Sequence, residues 1–322
     1  MSDLENSSQL EAIFQNKHYA PWRISFRSWL TIFYNTISDL ISGTTSLVAA
    51  GCAFFATLAL FPAISVLISI YGLVFDLQTV EPQLRFIRRL LPPSAYDLLV
   101  QMINNVISQT HSSLTLSLII AIVIALWSAS VGTKGLLSGL NIAYGTTESR
   151  NYFKFQFISL FMTFCGILGT ITTLAVIVAL PAVLRFIPKQ IFEVIEIYLP
   201  TINLVSTIGN IIVLLFAAIT FSLFYRYGPC RFNVFWRWII PGSIISTLFW
   251  LLFAYGFSFY VAHIANFSST YGPLGAVVAV MMWFWVSCYV ILLGAQFNAE
   301  IERELIRKLK RKKKSKPLMQ KA

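Results

Sequence analysis

The residues that most often carry enzyme chemistry are few and widely separated in this sequence. The histidines are His18, His111 and His263, and the four cysteines form no CxxC pair. A zinc site or a metal-dependent nuclease needs several His, Cys or carboxylate ligands close together. No nucleophile elbow, nucleotide-binding loop or HExxH motif occurs in the chain. The sequence therefore predicts no enzyme, no metal and no cofactor.

Six polar residues could act together, because all of them are predicted near the cytoplasmic boundary of a membrane. They are Asn141, Tyr144, Glu148, Arg150, Arg226 and Glu300. Asn141 and Tyr144 are three residues apart, which places them on one face of a helix. Glu148 and Arg150 can pair with each other, or with the charged groups at positions 226 and 300. Two interpretations stay open: a cytoplasmic gate or binding mouth, and a clasp of ion pairs that holds the helix ends together.

A second group of residues could line a cavity inside the membrane. Its members are Thr57, Pro62, Asn210 and Gln296. Polar side chains between membrane helices also form hydrogen bonds from helix to helix, so this alternative stays open. Pro62 can kink or break its helix. The predicted spans hold no ionisable side chain except His263 near an outer end, which argues against a proton relay through the membrane.

The elements that position these groups are long apolar helices. The chain has 322 residues, of which 57% are hydrophobic and 11% charged, whereas soluble domains carry about 25% charged residues. A water-soluble domain is therefore excluded. Stretches without Asp, Glu, Lys or Arg are long enough to cross a bilayer, which takes about 20 residues as a helix. They predict an all-α membrane bundle with six spans, at 47–75, 113–131, 155–181, 201–225, 241–263 and 272–299.

The distribution of Lys and Arg predicts the topology. With six spans, 19 of the 24 basic residues fall on the side of the two chain termini, and cytoplasmic loops are enriched in basic residues. Both termini are therefore predicted in the cytoplasm. The chain divides into an N-terminal segment at 1–46, a transmembrane domain at 47–299 and a basic C-terminal tail at 300–322.

Three segments outside the spans have helical patterns. Residues 21–42 place apolar and basic residues on opposite faces, which is typical either of a helix in the membrane interface or of one packed on the bundle. Residues 94–107 and 188–200 have the pattern of helices over the outer mouth, as a lid or as simple surface packing. The basic tail favours binding to anionic lipid headgroups over nucleic acid, because it has no aromatic stacking residues.

Four stretches in one order resemble the YihY/BrkB family of bacterial inner-membrane proteins, once labelled ribonuclease BN. They begin at Ala49, Leu126, Tyr225 and Tyr271, and include Tyr225-Arg-Tyr-Gly-Pro and Gly294-Ala-Gln-Phe-Asn-Ala-Glu. The resemblance implies six helices with cytoplasmic termini in the bacterial inner membrane. Family members often have Glu where this chain has Gln296, so no essential carboxylate is implied there.

These observations predict a membrane protein that transports a small molecule or a lipid of unidentified type. The alternative is an envelope-integrity or assembly factor that does not transport. A tRNA-processing ribonuclease ranks last, because the chain lacks clustered metal ligands. A carrier predicts a polar cavity towards mid-membrane, and a scaffold predicts a dry interior. The expected partners are membrane lipids, without nucleic acid.

Overall fold

The computed structural model describes residues 21, 25–74, 101, 111–184, 204–231, 234–263 and 272–319, and its long elements are α-helices. In chain order they are α1 (Phe26–Ser42), α2 (Thr45–Val74), α3 (His111–Tyr144), α4 (Tyr152–Leu184), α5 (Leu204–Tyr227), α6 (Ile240–His263) and α7 (Gly275–Met319). Short 3-10 helices, Trp236–Trp238 and Gly272–Leu274, precede α6 and α7. Within the described ranges there is no strand, and the predicted all-α class is confirmed.

Six long helices, α2 to α7, lie where the six spans were predicted. Five of them contain apolar segments long enough to cross a bilayer: Thr45–Ile64, Ile119–Tyr144, Tyr152–Gly169, Ile240–Val261 and Gly275–Leu309. The remaining helix, α5, has 24 residues, and its apolar stretch Ile211–Tyr227 is shorter. An α-helix rises 1.5 Å per residue, so the five longer segments can cross a hydrocarbon layer of about 30 Å.

The second predicted span, which ended at residue 131, is too short. Its helix α3 continues to Tyr144. Lys134 interrupts the uncharged run, but its ammonium lies over the rings of Trp127 and Tyr152, 5.9 and 5.8 Å from the ring centroids. A lysine can extend its aliphatic stem along apolar surface, so a single lysine does not end the helix.

The last helix crosses the predicted boundary between span and tail without a break. Helix α7 has 45 residues and runs through positions 299 and 300 to Met319. It stays helical past the apolar segment because its next residues are still packed: Glu300, Ile301 and Leu305 are buried. Residues 300–309 of α7 are therefore a packing element of the bundle as well as part of the basic segment.

Helices α2 and α3 pack closely because small residues line the face of α3 that meets α2. A methyl group built on Gly132 would lie 3.4 Å from the carbonyl oxygen of Cys52. On Gly139 it would lie 2.8 Å from the side chains of Val48 and Leu292. Small residues at this spacing let membrane helices approach closely.

Helix α7 lies at the centre of the bundle and contacts α1, α2, α3 and α6. Its residues between Val290 and Glu302 are buried on almost every side. Helix α4 packs on α3 and α5, and α5 packs on α6. The polar and charged side chains that could form a functional site therefore meet around the second half of α7.

Helix α1 combines the two alternatives proposed for residues 21–42. Ser28, Ile32 and Thr36, spaced by four, are buried, and Ile32 packs against Ile301 of α7. Large apolar side chains on the other sides are exposed; they are Phe26, Leu30, Phe33, Ile37 and Ile41. An exposed apolar face on a helix beside membrane spans is typical of one lying in the interface. Apart from residue 101, the outer segments 94–107 and 188–200 lie outside the described residues.

Candidate functional site

The end of the bundle that carries α1, the α3–α4 connection, the α5–α6 connection and Glu300–Leu309 of α7 is called here the inner end. At this end Glu148 and Arg150 form a bidentate ion pair. Nε and Nη2 of Arg150 each donate a hydrogen bond of 2.7 Å to the Glu148 carboxylate. Nη2 also donates to the carbonyl of Gly228 over 2.8 Å. The pair therefore joins the α3–α4 connection to the α5–α6 connection.

Asn141 strengthens the same junction from the end of α3. Its amide nitrogen donates to the Glu148 carboxylate over 2.9 Å. Its amide oxygen accepts a 2.6 Å hydrogen bond from the backbone N–H of Cys230. A buried amide that uses both its donor and its acceptor fixes the relative position of the two segments it joins.

Tyr144 belongs to a second junction, which the sequence did not indicate. The Arg231 guanidinium lies over the Tyr144 ring at 3.8 Å from the centroid. The same guanidinium forms an ion pair with Glu302 of α7 at 2.6 and 2.7 Å. The side chains of Arg231 and Glu302 are only 5% and 11% exposed. One available signal was the spacing of Asn298 and Glu302, which places two polar residues on one face of a helix.

Glu300 lies in a third junction and is 2% exposed. Its carboxylate pairs with Arg303 at 2.6 Å and with Arg307 at 3.7 Å. It also accepts a 3.1 Å hydrogen bond from the amide of Asn35 on α1. Arg303 in turn donates to Asp39 of α1 and to the carbonyl of Ala143 on α3. This junction joins α1, α3 and α7.

Arg226 does not pair with Glu148 or Glu300, and that part of the sequence-based alternative is wrong. Its Nη1 donates to the carbonyl of Val234 over 2.7 Å, and its guanidinium lies 4.6 Å from the centroid of Trp236. The carboxylates already have nearer arginines in the same segment or helix. Arg226 instead holds the chain between α5 and α6.

The candidate cavity residues have different surroundings. Thr57 is buried and its hydroxyl donates to the Ala53 carbonyl of its own helix at 2.8 Å. Pro62 lies inside α2, which continues through it. The side chain of Asn210 lies outside the described part of the structure. Gln296 donates a hydrogen bond to Asp39 and lines a cavity at the inner end.

Most hydroxyl and amide groups deeper in the bundle bond helix to helix. Asn298 accepts from the Gly242 N–H over 2.7 Å and donates to the Ile239 carbonyl over 3.0 Å. The hydroxyls of Tyr225 and Ser246 lie 2.7 Å apart. Each bonds a carbonyl of α7, at 2.8 and 3.0 Å respectively. Such bonds stabilise membrane helix pairs by up to about 2 kcal/mol each.

Two cavities open at the inner end. The smaller, of about 210 Å³, lies among α1, α2, α3 and α7 and is lined by Asp39, Gln296 and Arg303 over an apolar floor. The larger, of about 570 Å³, lies between the beginning of α4 and the α5–α6 connection, and we call it the basic cleft. Among the ten described residues that line it, four are cationic and none is acidic: the cations are Arg150, Lys154, Arg226 and Arg231. Such a cleft can hold an anion.

The Glu148–Arg150 pair predicts a loss of stability in acid. The hydrogen bonds from Arg150 are the main cause that lowers the pKa of Glu148 from 4.5 to about 2. Because the folded protein holds the ionised form, this stabilisation is complete above pH 4.5 and disappears as the pH falls towards 2. Glu148→Gln should cost about 1 kcal/mol at pH 7, since the pair is partly exposed.

Thermal unfolding in detergent, measured from pH 7 to pH 3, tests this expectation. The difference in midpoint between the wild type and Glu148→Gln should shrink as the pH falls. A difference that stays constant over this range would show that the pKa of Glu148 is the same in the folded and the unfolded protein, and would contradict the lowered pKa.

Within the described ranges, no group of three or more His, Cys, Asp or Glu side chains is arranged to hold a metal ion. Three described acidic side chains of the inner end pair with arginines: Glu148 with Arg150, Glu302 with Arg231 and Glu300 with Arg303. Asp39 also contacts Arg303, and Glu304 accepts a hydrogen bond from Ser28. The Glu148 and Glu300 pairs lie within one segment or helix, and the Glu302 pair joins the α5–α6 connection to α7.

Comparison with known proteins matches this chain to membrane proteins. The profile of the family "Virulence factor BrkB" matches residues 36–318. YfkH of Bacillus subtilis, whose name describes it as ribonuclease-like, is 29% identical over 258 residues, 79% of this chain and 89% of YfkH. A UPF0761 membrane protein of Tolumonas auensis is 34% identical over 94 residues, 28% of this chain and 30% of the relative. No solved structure matches.

The family match covers most of the chain, including α2 to α6, α7 up to residue 318 and, apart from Asn35, the residues of all three junctions at the inner end. The long apolar helices agree with the relatives that are named as membrane proteins. This chain therefore belongs to the virulence factor BrkB family and is a membrane protein.

Proposed function

We propose that this protein moves a lipid or another amphipathic small molecule across the bacterial inner membrane, and that it is not an enzyme. The observation that carries the proposal is the basic cleft, an open cavity of about 570 Å³ at the inner end of a membrane helix bundle. A cavity of this size is in the range of small-molecule sites.

The surroundings of the basic cleft favour an amphipathic molecule. Charged and polar side chains line the cleft itself, together with Ile158 and Pro229. Phe153 and Phe157, on the same helix as Lys154, are 83% and 70% exposed, and in a membrane they face lipid. A molecule with a polar head in the cleft could therefore keep its apolar part against α4.

We also propose that the inner end faces the cytoplasm, so that the cleft takes up its molecule from that side. The support is the excess of Lys and Arg in the connections at this end and in the C-terminal segment, as the positive-inside rule requires. The basic end of α7 would then lie close to anionic lipid headgroups, each basic residue contributing about 1 kcal/mol to the attraction.

One observation favours the second candidate, an envelope or assembly factor that does not transport. The described hydroxyls of Thr57, Ser159 and Ser246 all bond carbonyls of the protein. Ser159 and Ser246 in this way hold neighbouring helices together, Thr57 bonds its own helix, and all three leave fewer polar groups for a passage. The ribonuclease activity suggested by the name of YfkH ranks third. The carboxylates of Glu148, Glu300 and Glu302 form ion pairs with arginines, whereas a metal-dependent nuclease needs carboxylates as metal ligands.

Lipid movement in vesicles separates the first two candidates. The purified full-length protein is reconstituted into phosphatidylcholine vesicles with a trace of phosphatidylglycerol that carries a fluorescent label on one acyl chain, and dithionite is added outside. Without protein only the outer-leaflet label is bleached. A transporter should extend bleaching to the inner leaflet, whereas bleaching identical to that in vesicles with an unrelated helical membrane protein would contradict transport and favour the scaffold.

A further inference from the structure

The four cations of the basic cleft are not equivalent, because two of them are paired with carboxylates that do not line the cleft. Arg150 is paired with Glu148 and Arg231 with Glu302, each by two short contacts. Neither glutamate lines the cleft. These two arginines therefore serve mainly as fixed parts of the wall, since Nε and Nη2 of Arg150 and both terminal nitrogens of Arg231 already donate to carboxylates or carbonyls.

The remaining two cations, Arg226 and Lys154, carry the uncompensated charge of the cleft. Arg226 pairs with no carboxylate in the described structure, and its position is fixed by the Val234 carbonyl and by stacking on Trp236. Lys154 is exposed and makes no ion pair with any described residue. The cleft thus presents one fixed guanidinium and one free ammonium, and none of its described lining residues is acidic.

This arrangement has the chemistry of a site for a tetrahedral anion. A guanidinium presents several N–H donors in fixed directions, and an ammonium adds a point charge that adjusts its position; together they suit the oxygens of a phosphate group. A ligand with a carboxylate group would need only one of these two cations. A guanidinium that is held before the ligand arrives has little freedom left to lose on binding.

We infer that the basic cleft binds the phosphate group of its ligand, with Arg226 and Lys154 as the two cationic contacts. The inference deepens the proposed function and rests on it: the transported molecule would be a phosphate-bearing amphiphile. The same chemistry would accept free phosphate, and the experiment distinguishes the two sources.

Binding is measured by calorimetry on the full-length protein in phosphatidylcholine nanodiscs. The probes are inorganic phosphate and dihexanoyl phosphatidic acid, with dihexanoyl glycerol as the probe that lacks phosphate. Tighter binding of phosphatidic acid than of phosphate identifies a lipid headgroup, and equal binding identifies a free phosphate. Both results support a phosphate site. Binding of the glycerol probe as tightly as phosphatidic acid, or of neither phosphate compound, overturns it.

Lys154→Gln is the decisive variant, because the described structure gives Lys154 no contact whose loss would disturb folding. It should raise the Kd for the phosphate compound by about tenfold, the size expected for one charge-assisted hydrogen bond. Lys154→Arg should retain most of the affinity. Lys308→Gln, which removes the same charge from α7 outside the cleft, is the matched control. An equal loss in Lys154→Gln and Lys308→Gln would mean diffuse surface charge and overturn the site.

The outcome also separates this inference from the proposed function. Binding that depends on Lys154, without movement of labelled lipid between leaflets, would leave the phosphate site in place and contradict transport. Movement of labelled lipid that is unchanged in Lys154→Gln, together with unchanged binding, would contradict the site and leave transport in place.

Discussion

Gly294→Ala is expected to prevent stable assembly of the helix bundle. At this position α7 crosses α6 so closely that a methyl group would lie 2.6 Å from the carbonyl oxygen of Gly242, and closer still to the hydroxyl of Ser246. A backbone carbonyl has no alternative rotamer, so α6 itself would have to move. Overpacking of this kind costs roughly 3 kcal/mol or more. The measurement is the yield of monodisperse protein in detergent and its thermal unfolding midpoint.

The bundle offers two matched controls for this substitution. Gly166 on α4 and Gly256 on α6 have no atom of the described residues within 4 Å of the position that a methyl group would take. Gly166→Ala and Gly256→Ala should therefore leave yield and unfolding midpoint unchanged or slightly raised, since alanine favours helix over glycine. A normal midpoint for Gly294→Ala would show that α6 and α7 do not touch at Gly242 and Gly294.

Removal of one partner from the buried Arg231–Glu302 pair should be nearly as damaging. Glu302→Gln removes the carboxylate that pairs with Arg231. The guanidinium of Arg231 then has no partner carboxylate at a position where its side chain is only 5% exposed. Breaking a buried ion pair from one side costs about 3–5 kcal/mol, because the remaining charge is uncompensated. Arg231→Gln should have an effect of similar size and also removes the stacking on Tyr144. Equilibrium unfolding in detergent measures both.

The double variant Arg231→Gln/Glu302→Gln distinguishes the pair from two independent sites. If the charges compensate each other, the double variant should be more stable than the sum of the single losses implies. Arg307→Gln is the control, because its contact with Glu300 is 3.7 Å long and its side chain is 47% exposed; it should cost less than about 1 kcal/mol. Additive losses would contradict the pair.

The sequence was sufficient to predict the helices because the membrane restricts the possible structures. A backbone in lipid must satisfy its hydrogen bonds internally, so an uncharged run of about 20 residues has one solution, the helix. The predicted places of α2, α4, α5 and α6 agree with the structure to within a few residues. The ends of α3 and α7 were missed because the charges of Lys134 and Glu300 do not end a helix whose surface is still packed.

The candidate site was harder to predict because its partners are distant in sequence. The Glu148–Arg150 contact is local, and residue order already suggested it. The Arg231–Glu302 pair joins residues 71 positions apart. Neither periodicity nor spacing can predict that a residue in the irregular α5–α6 connection contacts one face of α7. The sequence suggested carboxylates as the partners of Arg226, whereas its partners in the structure are a backbone carbonyl and an indole ring.

The most direct test of the account is whether the basic cleft opens to the cytoplasm. Cys230 lines this cleft, and it becomes the sole thiol when Cys52, Cys165 and Cys288 are replaced by alanine. A membrane-impermeant maleimide should label Cys230 in inside-out membrane vesicles and leave it unlabelled in right-side-out vesicles. Labelling confined to right-side-out vesicles would place the cleft on the outer side and contradict both the topology and uptake from the cytoplasm.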